Sequence, residues 1–192
     1  NMLPVKAVAI GTDYTCIPFW EETNCDYYVI PHEDLVDEYI KRGVPKEKLL
    51  PYGIPVRHAF AKHTPKDIAR RKCALPQQGK LLLFGSVKIT DKRKGIDYMI
   101  EACKLLAEKH PELKSELGVV VFGNQSEQME HLLPFKVYPF NFVSNEHQLV
   151  DIYNAVDLFV TPSLEENLPN TIMEAMACGI PCVGFNVGGI PE

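Results

Sequence analysis

The feature of this sequence that most restricts its fold is an alternation of apolar, strand-length runs with helical segments, beginning at Leu81. The strand-length runs are LLLFGS, GVVVFGN, LFVTPS and PCVGFN. Between them, apolar residues recur every three or four positions, as in the helix expected from Ile96 to about Lys109. Strands that are apolar throughout are typical of a parallel sheet with both faces covered. The alternation therefore predicts an α/β fold in which helices flank a Rossmann-like parallel sheet.

The domain organisation is uneven along the chain. The first 56 residues repeat the pattern weakly, with VKAVAIG and CDYYVIP as expected strands and HEDLVDEYIKRGV as an expected helix. A basic, polar segment follows, with one short helix expected around Lys66–Cys73. We therefore predict a partial domain over residues 1–60, a connector over 61–79 and a nearly complete domain over 80–192 that lacks its final helices. On this prediction the chain is a portion of a larger two-domain protein, or a truncated chain.

Composition and charge exclude several classes of protein. A chain of 192 residues with 46% hydrophobic and 23% charged residues is typical of a globular protein. The net charge of −5 argues against a nucleic-acid partner, because such proteins neutralise phosphates with a basic surface. No run approaches the roughly 18 apolar residues of a membrane-spanning helix. The six cysteines form no C-x-x-C pair, so we expect reduced thiols and no metal site.

A basic loop is the first candidate site. In GSVKITDKRKG, four cations lie between an expected strand and the helix that follows: Lys88, Lys92, Arg93 and Lys94. Cations before a helix N-terminus favour anion binding, because free backbone N–H groups and the helix dipole add to the side-chain charge. The alternative is a solvated basic loop. The phosphate-binding pattern G-x-x-x-x-G-K-[ST] is absent.

Two further loops are expected at the same edge of the sheet. They are FGN, which ends at Asn124, and FNFVSNEHQL, which contains Val143 and Leu149. Short apolar segments with free backbone amides suit contact with a flat base, so these three residues are candidate ligand contacts. The alternative is ordinary core strand and turn.

The third candidate is the acidic entrance to a helix in SLEENLPNTIMEAMACG. Glu166 and Glu174 are eight residues apart, and both side chains are expected to reach one crevice. A carboxylate accepts hydrogen bonds from two neighbouring hydroxyls, as in ribose recognition. The alternative for Glu174 is a capping box with Thr171, in which the carboxylate binds the N-cap N–H. The alternative for Glu165 and Glu166 is acid near a helix N-terminus, which contributes only ~0.3–1 kcal/mol.

With these motifs in view, residues 80–192 resemble the donor-binding domain of retaining GT-B glycosyltransferases, the glycogen-synthase-like group. The motifs that carry the resemblance are the E-x7-E pair Glu166 and Glu174, the run EAMACGIPCV, the turn GGIPE, and the upstream segments LFGSVKITDKRKGIDYMIEACKLL, VVFGN and FVSNEHQLVDIYNAVDLFVTPS. The resemblance implies a GT-B fold and a nucleotide-diphospho-sugar donor.

The resemblance also implies roles for individual residues. Glu174 would hold the ribose hydroxyls, and Glu166 would face the donor sugar or diphosphate together with the amides of Asn167 and Leu168. Lys94 would take the place of the family's phosphate lysine. The family usually has arginine after the strand glycine, but Gly85 is followed by Ser86 in this chain, so Arg93 is the expected second cation. Glu166 and Lys94 are the expected catalytic residues, and no metal or cofactor is expected.

The first 60 residues resemble different enzymes, the galactolipid-synthase-like and peptidoglycan N-acetylglucosaminyltransferase-like GT-B group. The carriers are the TDY and PFW segments and the GIPV exit. Those enzymes are inverting, so the two resemblances disagree about stereochemistry. A hybrid chain joined between about Phe60 and Lys80 is one hypothesis that accommodates both.

We therefore expect a glycosyltransferase, or its donor-binding portion, that transfers a hexose from a UDP- or GDP-hexose to a glycan or lipid acceptor. The expected mode is retaining and metal-independent. An inverting mode needs a base, for which Asp13 and His32 are the candidates. One alternative is a non-catalytic α/β fragment or engineered chimera that at most binds nucleotide, and a second is a nucleotide-sugar epimerase of the same build. We expect a cytoplasmic location, with peripheral contact at the inner membrane face as an expectation from the family.

Overall fold

The computed structural model describes residues 5–16 and 18–191, which form two compact units. The first unit ends at Pro55, and the second spans Val56–Pro191. Each unit has its own parallel sheet and its own hydrophobic core. The predicted α/β class, with parallel strands and flanking helices, is confirmed. No helix of the described residues is long and apolar enough to cross a membrane.

The first unit contains a three-stranded parallel sheet in the order β1-β2-β3. Its elements are β1 (Val8–Ile10), β2 (Tyr27–Val29), α1 (Val36–Lys41) and β3 (Leu49–Leu50). Tyr28, Ile30 and Tyr39 are almost completely buried in its core. The strands and the helix predicted for the first 56 residues are present, with shorter bounds than the apolar runs suggest.

The second unit contains a five-stranded parallel sheet. Its strands are β4 (Lys80–Lys88), β5 (Leu117–Asn124), β6 (Lys136–Phe140), β7 (Leu158–Thr161) and β8 (Cys182–Gly184). They lie side by side in the order β6-β5-β4-β7-β8. Its helices are α2 (Lys66–Lys72), α3 (Ile96–Lys109), α4 (Glu146–Ala155) and α5 (Asn170–Ala177).

This sheet is buried on both faces. All residues of β5 except Asn124 are buried. Val120 belongs to one core cluster together with Tyr153 of α4, whereas its neighbour Val121 belongs to another together with Met99 of α3. Successive strand residues point to opposite faces, so a helix layer covers each face, as the apolar runs predict.

The strand β6 lies outside the sequence prediction, and Pro139 explains why. Proline has no N–H to donate to a sheet and argues against a strand in a sequence. The structure places β6 at the edge of the sheet, where only one side is paired, and Pro139 lies opposite Val121 of β5. An edge position accommodates the missing donor.

Residues 61–79, predicted as a connector, pack as part of the second unit. Ala69 and Leu75 are buried in the same core cluster as Tyr153, and α2 occupies the expected helical stretch. The segment was predicted to be a polar connector because basic residues dominate its composition. One of these, Arg70, is itself only 4% exposed.

The guanidinium of Arg70 is anchored by four hydrogen bonds. Nη2 donates to Asp157 at 2.8 Å and Nε donates to the carbonyl of Ala155 at 2.9 Å. Nη1 donates to the carbonyls of Pro76 and Gly79. A buried charge is tolerated only when it is paired and hydrogen bonded in this way.

The carboxylate of Asp157 joins three parts of the unit. It accepts hydrogen bonds from Arg70 and Lys66 of α2 and from the backbone N–H of Leu81 in β4. Burial raises the pKa of Asp157, but the hydrogen bonds from Lys66 and Leu81 and the nearby cations outweigh it, so the pKa lies below its ordinary value. The charged carboxylate therefore fixes α2 to the start of β4.

The strand order sets the position of the candidate site. β5 and β6 lie on one side of β4, and β7 and β8 lie on the other. Leu83 of β4 pairs with Phe159 of β7 at the point where the strand order reverses. In open α/β sheets, ligands bind in the crevice outside the carboxyl ends of the strands at such a reversal.

A close backbone contact joins the loops that leave β4 and β7. Gly95 follows the 3-10 turn Lys92–Lys94 with a φ of +71°. A Cβ on Gly95 would lie 1.7 Å from the carbonyl oxygen of Pro162, just beyond β7. The turn after β4 therefore rests directly on the main chain that leaves β7, which only glycine permits.

We predict that Arg70→Ala lowers the free energy of unfolding by about 3 kcal/mol, because it removes a buried, fully hydrogen-bonded cation and leaves Asp157 with only Lys66 as a close cationic partner. Arg71→Ala is the control on the same helix, since Arg71 pairs with Asp67 and both side chains are about 60% exposed. It should cost no more than about 1 kcal/mol. Urea unfolding followed by circular dichroism measures both, and equal losses would contradict the assignment of Arg70 as an anchor.

We predict that Gly95→Ala destabilises the chain more than Gly179→Ala. Gly179 has a similar φ of +75°, but its nearest neighbour would lie 3.6 Å from an added Cβ. The control therefore measures the left-handed backbone cost of about 1–2 kcal/mol alone, whereas Gly95→Ala adds a collision with Pro162. Thermal unfolding of the two variants compares them, and equal melting temperatures would show that the Pro162 contact is not close.

Candidate functional site

An open cleft of about 530 Å³ lies beside the carboxyl ends of β4 and β7. It is formed by the turn after β4, the acidic loop after β7 and the segment after β8. Its lining residues are Arg93, Lys94, Leu164, Glu165, Glu166, Asn167 and Val187. Four of the predicted site residues are thus brought together, which are Arg93, Lys94, Glu166 and Asn167.

An ion pair joins the two sides of the cleft. Lys94 Nζ lies 2.5 Å from Glu166 Oε1, although the two residues are far apart in the chain. The carboxylate side chain of Glu166 is 11% exposed, and that of Lys94 is 33% exposed. The cleft therefore presents a lysine and a carboxylate within one hydrogen bond of each other.

The second cation of the cleft is held by its own loop. Arg93 Nη2 donates to Asp91 Oδ2 at 2.9 Å, and Nε donates to Oδ1 at 3.2 Å. Hydrogen bonds from the Arg93 side chain and backbone lower the pKa of Asp91. The carbonyl of Arg93 also accepts from the N–H of Leu164 at 2.8 Å, which ties the basic turn to the acidic loop.

The acidic loop is held from its other side by the Gly-Gly turn. Gly188 has a φ of +56°, and an added Cβ would lie 1.8 Å from the carbonyl oxygen of Glu166. The N–H of Gly189 donates to the carbonyl of Asn167 at 2.6 Å. Main-chain contacts with the basic turn and the glycine turn therefore fix the loop that carries Glu166.

Glu174 does not form the capping box that its spacing from Thr171 suggests, so that interpretation is wrong. The N-cap of α5 is Pro169, and no side chain caps it. The carboxylate instead accepts from Arg57 Nη2 at 2.8 Å and from the Tyr153 hydroxyl at 3.2 Å. Its side chain is 12% exposed, and Glu174 is not among the residues that line the cleft.

The other predicted donor contacts lie outside the cleft. Ser86 is buried and donates to the carbonyl of Lys88. Val143 and Leu149 are partly buried against the core cluster of Tyr153. None of these lines the cleft, and the same is true of Gly85, Asn124 and Leu168.

The two candidate bases lie in the first unit. His32 Nδ1 accepts from the N–H of Asp34 at 3.3 Å and caps the 3-10 turn Glu33–Leu35. Asp13 is partly exposed in the segment after β1. The structure gives His32 the local role that a lone histidine at such a junction commonly has.

Sequence reasoning missed Arg57 and Tyr153. Arg57 lies in a polar segment whose spacing suggests no partner, and it bridges Glu174 and Glu146 with N···O distances of 2.8 and 3.0 Å. Tyr153 is completely buried on α4. A tyrosine on the apolar face of a helix commonly needs a partner for its hydroxyl, which is the one signal that points to Tyr153.

Among the residues that the structure describes, no group of three or more His, Cys, Asp or Glu side chains is arranged to hold a metal ion.

Comparison with known proteins matches two family models to different parts of the chain. The model for glycosyl transferases group 1 matches residues 66–192, and the model for monogalactosyldiacylglycerol synthase matches residues 1–56. The D-inositol 3-phosphate glycosyltransferase of Thermobispora bispora is 29% identical over 76% of this chain and 36% of its own length. That of Salinispora arenicola is 32% identical over 64% of this chain and 30% of its own length. The chain thus spans about a third of the curated relatives it matches.

Solved glycosyltransferase structures share the fold. WaaG, a glycosyltransferase involved in lipopolysaccharide biosynthesis, matches with a TM-score of 0.61 and 24% identity over 84% of this chain and 45% of its own. Anabaena HepE in complex with UDP matches with a TM-score of 0.65 and 19% identity, over 96% of this chain and 54% of its own. At these identities the likeness concerns the GT-B fold alone. The group 1 model, by contrast, covers well over half of the sequence, and the chain therefore belongs to the group 1 family of glycosyl transferases.

Proposed function

We propose that this chain forms the donor-binding portion of a glycosyltransferase that moves a hexose from a UDP- or GDP-hexose to a glycan or lipid acceptor. We further propose that the transfer retains the anomeric configuration and needs no metal or cofactor. The observation that carries the proposal is the pairing of Lys94 with Glu166 in the cleft where the strand order reverses. Membership of the group 1 family supports the reaction class.

The diphosphate of the donor would bind at the basic side of the cleft. Lys94 and Arg93 line it, and α5 begins at Asn170, directly after the acidic loop, so its first backbone N–H groups have no partner within the helix. Backbone N–H groups at a helix N-terminus and nearby cations together favour an anion. When a diphosphate enters, its oxygens replace Glu166 as partners of Lys94, and Glu166 then turns to the sugar hydroxyls.

The ribose would bind at Glu174. An ionised carboxylate has about four lone-pair positions, and Arg57 and Tyr153 occupy one on each oxygen. The remaining positions suit the two neighbouring hydroxyls of a ribose. Val143, in the loop after β6, and Leu149, on α4, are the proposed contacts for the base.

The proposed chemistry is charge stabilisation on the leaving group. The bond between the sugar C1 and the β-phosphate oxygen breaks, and that oxygen takes the electron pair. Lys94, Arg93 and the N-terminus of α5 would stabilise the growing negative charge, and preorganised donors of this kind supply a large share of catalysis. In the retaining mode the acceptor hydroxyl attacks from the same face and passes its proton to the departing phosphate.

The match of residues 1–56 to a galactolipid synthase model is compatible with a lipid acceptor. A cytoplasmic protein with peripheral contact at the inner membrane face would fit such an acceptor.

We predict that calorimetric titration detects binding of UDP, UDP-glucose or GDP-mannose, and that Lys94→Gln weakens it about tenfold or more, the loss of one charge-assisted hydrogen bond to phosphate. Binding of the nucleoside, which has no phosphates, should be unchanged by Lys94→Gln. Lys104→Gln is the control, because Lys104 is an exposed lysine on α3. Glu174→Ala should weaken both nucleotide and nucleoside. No binding of any of these ligands at millimolar concentration would overturn the proposed function.

We predict that slow hydrolysis of the bound donor releases the sugar with its configuration retained and is unchanged by excess EDTA. Proton NMR of the sugar released from UDP-glucose distinguishes the α from the β anomer before they interconvert. Release of the β anomer would overturn the retaining assignment, and loss of activity with EDTA would overturn metal independence. Binding without turnover would support the non-catalytic alternative.

A further inference from the structure

The carboxylate of Glu174 belongs to a closed circuit of four side chains, which are Glu174, Arg57, Phe60 and Tyr153. Arg57 Nη2 donates to Oε1 at 2.8 Å, and the Tyr153 hydroxyl donates to Oε2 at 3.2 Å. The Arg57 guanidinium lies 4.8 Å from the centroid of the Phe60 ring. The Phe60 ring in turn packs edge-on against Tyr153, with centroids 5.8 Å apart. Each side chain in the circuit contacts the next, so neither Arg57 nor Glu174 is free to rotate independently.

One side of this circuit is buried and the other side is open to solvent. Phe60 and Tyr153 are completely buried, whereas the side chain of Arg57 is 55% exposed. The hydrogen bond to Glu174 raises the pKa of Arg57, and burial raises the pKa of Tyr153. Both groups therefore stay protonated and donate at neutral pH, and the carboxylate keeps one fixed orientation.

Arg57 has a second anionic partner. Its Nη1 lies 3.0 Å from Oε2 of Glu146, in the first turn of α4. A guanidinium is planar and presents its N–H groups in a fixed fork, so bonds to two carboxylates and a stacked ring define its plane. Arg57 therefore joins α4 to α5 at the position of Glu174.

We propose that Arg57 is a positioning residue for donor binding, which holds the Glu174 carboxylate in the orientation that receives the two ribose hydroxyls. This inference rests on the proposed function and adds a residue to it. Arg57 contacts Glu174 and not the sugar nucleotide, so its effect appears only where the ribose hydroxyls are present. Tyr153 fixes the other carboxylate oxygen, and the remaining lone pairs face the diol.

A positioning role of Arg57 can be distinguished by experiment from a general contribution of Arg57 to stability. If Arg57 only held α4 and α5 together, its loss would weaken every ligand of the site equally. If it orients Glu174, its loss weakens ligands in proportion to their use of the diol. The comparison of UDP with its 2′,3′-dideoxy analogue distinguishes the two, because the analogue lacks both hydroxyls and keeps the base and diphosphate.

The experiment titrates the full chain with UDP and with 2′,3′-dideoxy-UDP, and with the GDP pair if GDP binds better. Arg57→Gln should weaken UDP about tenfold, the size of one charge-assisted hydrogen bond, and leave the dideoxy analogue within about twofold. Arg57→Lys, which keeps the charge but not the fork, should recover part of the loss. In a Glu174→Gln background, Arg57→Gln should add nothing. Arg71→Gln, an exposed arginine already paired with Asp67, is the matched control and should bind both ligands as the native chain does.

Three results would overturn the inference alone: equal weakening of UDP and its dideoxy analogue, tighter UDP binding by Arg57→Gln, or additive losses in the double variant. Failure of the native chain to bind any nucleotide would instead overturn the proposed function and this inference with it. Circular dichroism of each variant shows whether the fold is kept. If Arg57→Gln does not fold, the comparison of UDP with its dideoxy analogue is made with Arg57→Lys.

Discussion

The structure of the second unit depends on the burial of its sheet on both faces. Because β5 sends neighbouring residues into opposite cores, each face needs a helix layer, and parallel strands require long crossovers that supply those helices. Every crossover then starts from the same edge of the sheet. The loops after β4, β7 and β8 meet there for this reason, although their residues lie far apart in the chain.

At that edge the main chain, more than the side chains, determines the shape of the cleft. Gly95 lies against Pro162, and Gly188 lies against Glu166, each at a distance that admits no Cβ. The two loops that carry Lys94 and Glu166 are therefore located by backbone contact. Lys94 and Glu166 can therefore exchange partners without movement of the loops, as the proposed binding of a diphosphate requires.

The sequence predicts the α/β class and the convergence of the basic and acidic loops at one edge of the sheet, because both follow from local signals. Short stretches of sequence are enough to show strand-length apolar runs, helical periodicity and the residues expected to cluster at the carboxyl ends of strands. β6 was not predicted, because a proline such as Pro139 argues against a strand in a local sequence pattern. The position of β6 at the edge of the sheet is what accommodates the proline. The segment 61–79 was predicted as a polar connector, because composition does not show that Arg70 is buried and paired with Asp157.

The environment of Glu174 shows the limit of local reasoning most clearly. The capping box with Thr171 is a pattern of four residues, and nothing in that window competes with it. Arg57 is 117 positions away in the chain, and Tyr153 faces the carboxylate from a different helix. A long-range ion pair replaced the local hydrogen bond, and only the folded chain reveals such a partner.

The contact between Phe60 and Tyr153 also bears on where this domain begins. The group 1 family model matches from residue 66, whereas the compact unit starts at Val56. A domain cut at the start of the family match would keep the sheet and α2 but lose both Arg57 and Phe60. It would expose one edge of the Tyr153 ring and remove the guanidinium beside Glu174. Domain boundaries drawn from sequence families alone can thus separate the proposed ribose site from one of the residues that support it.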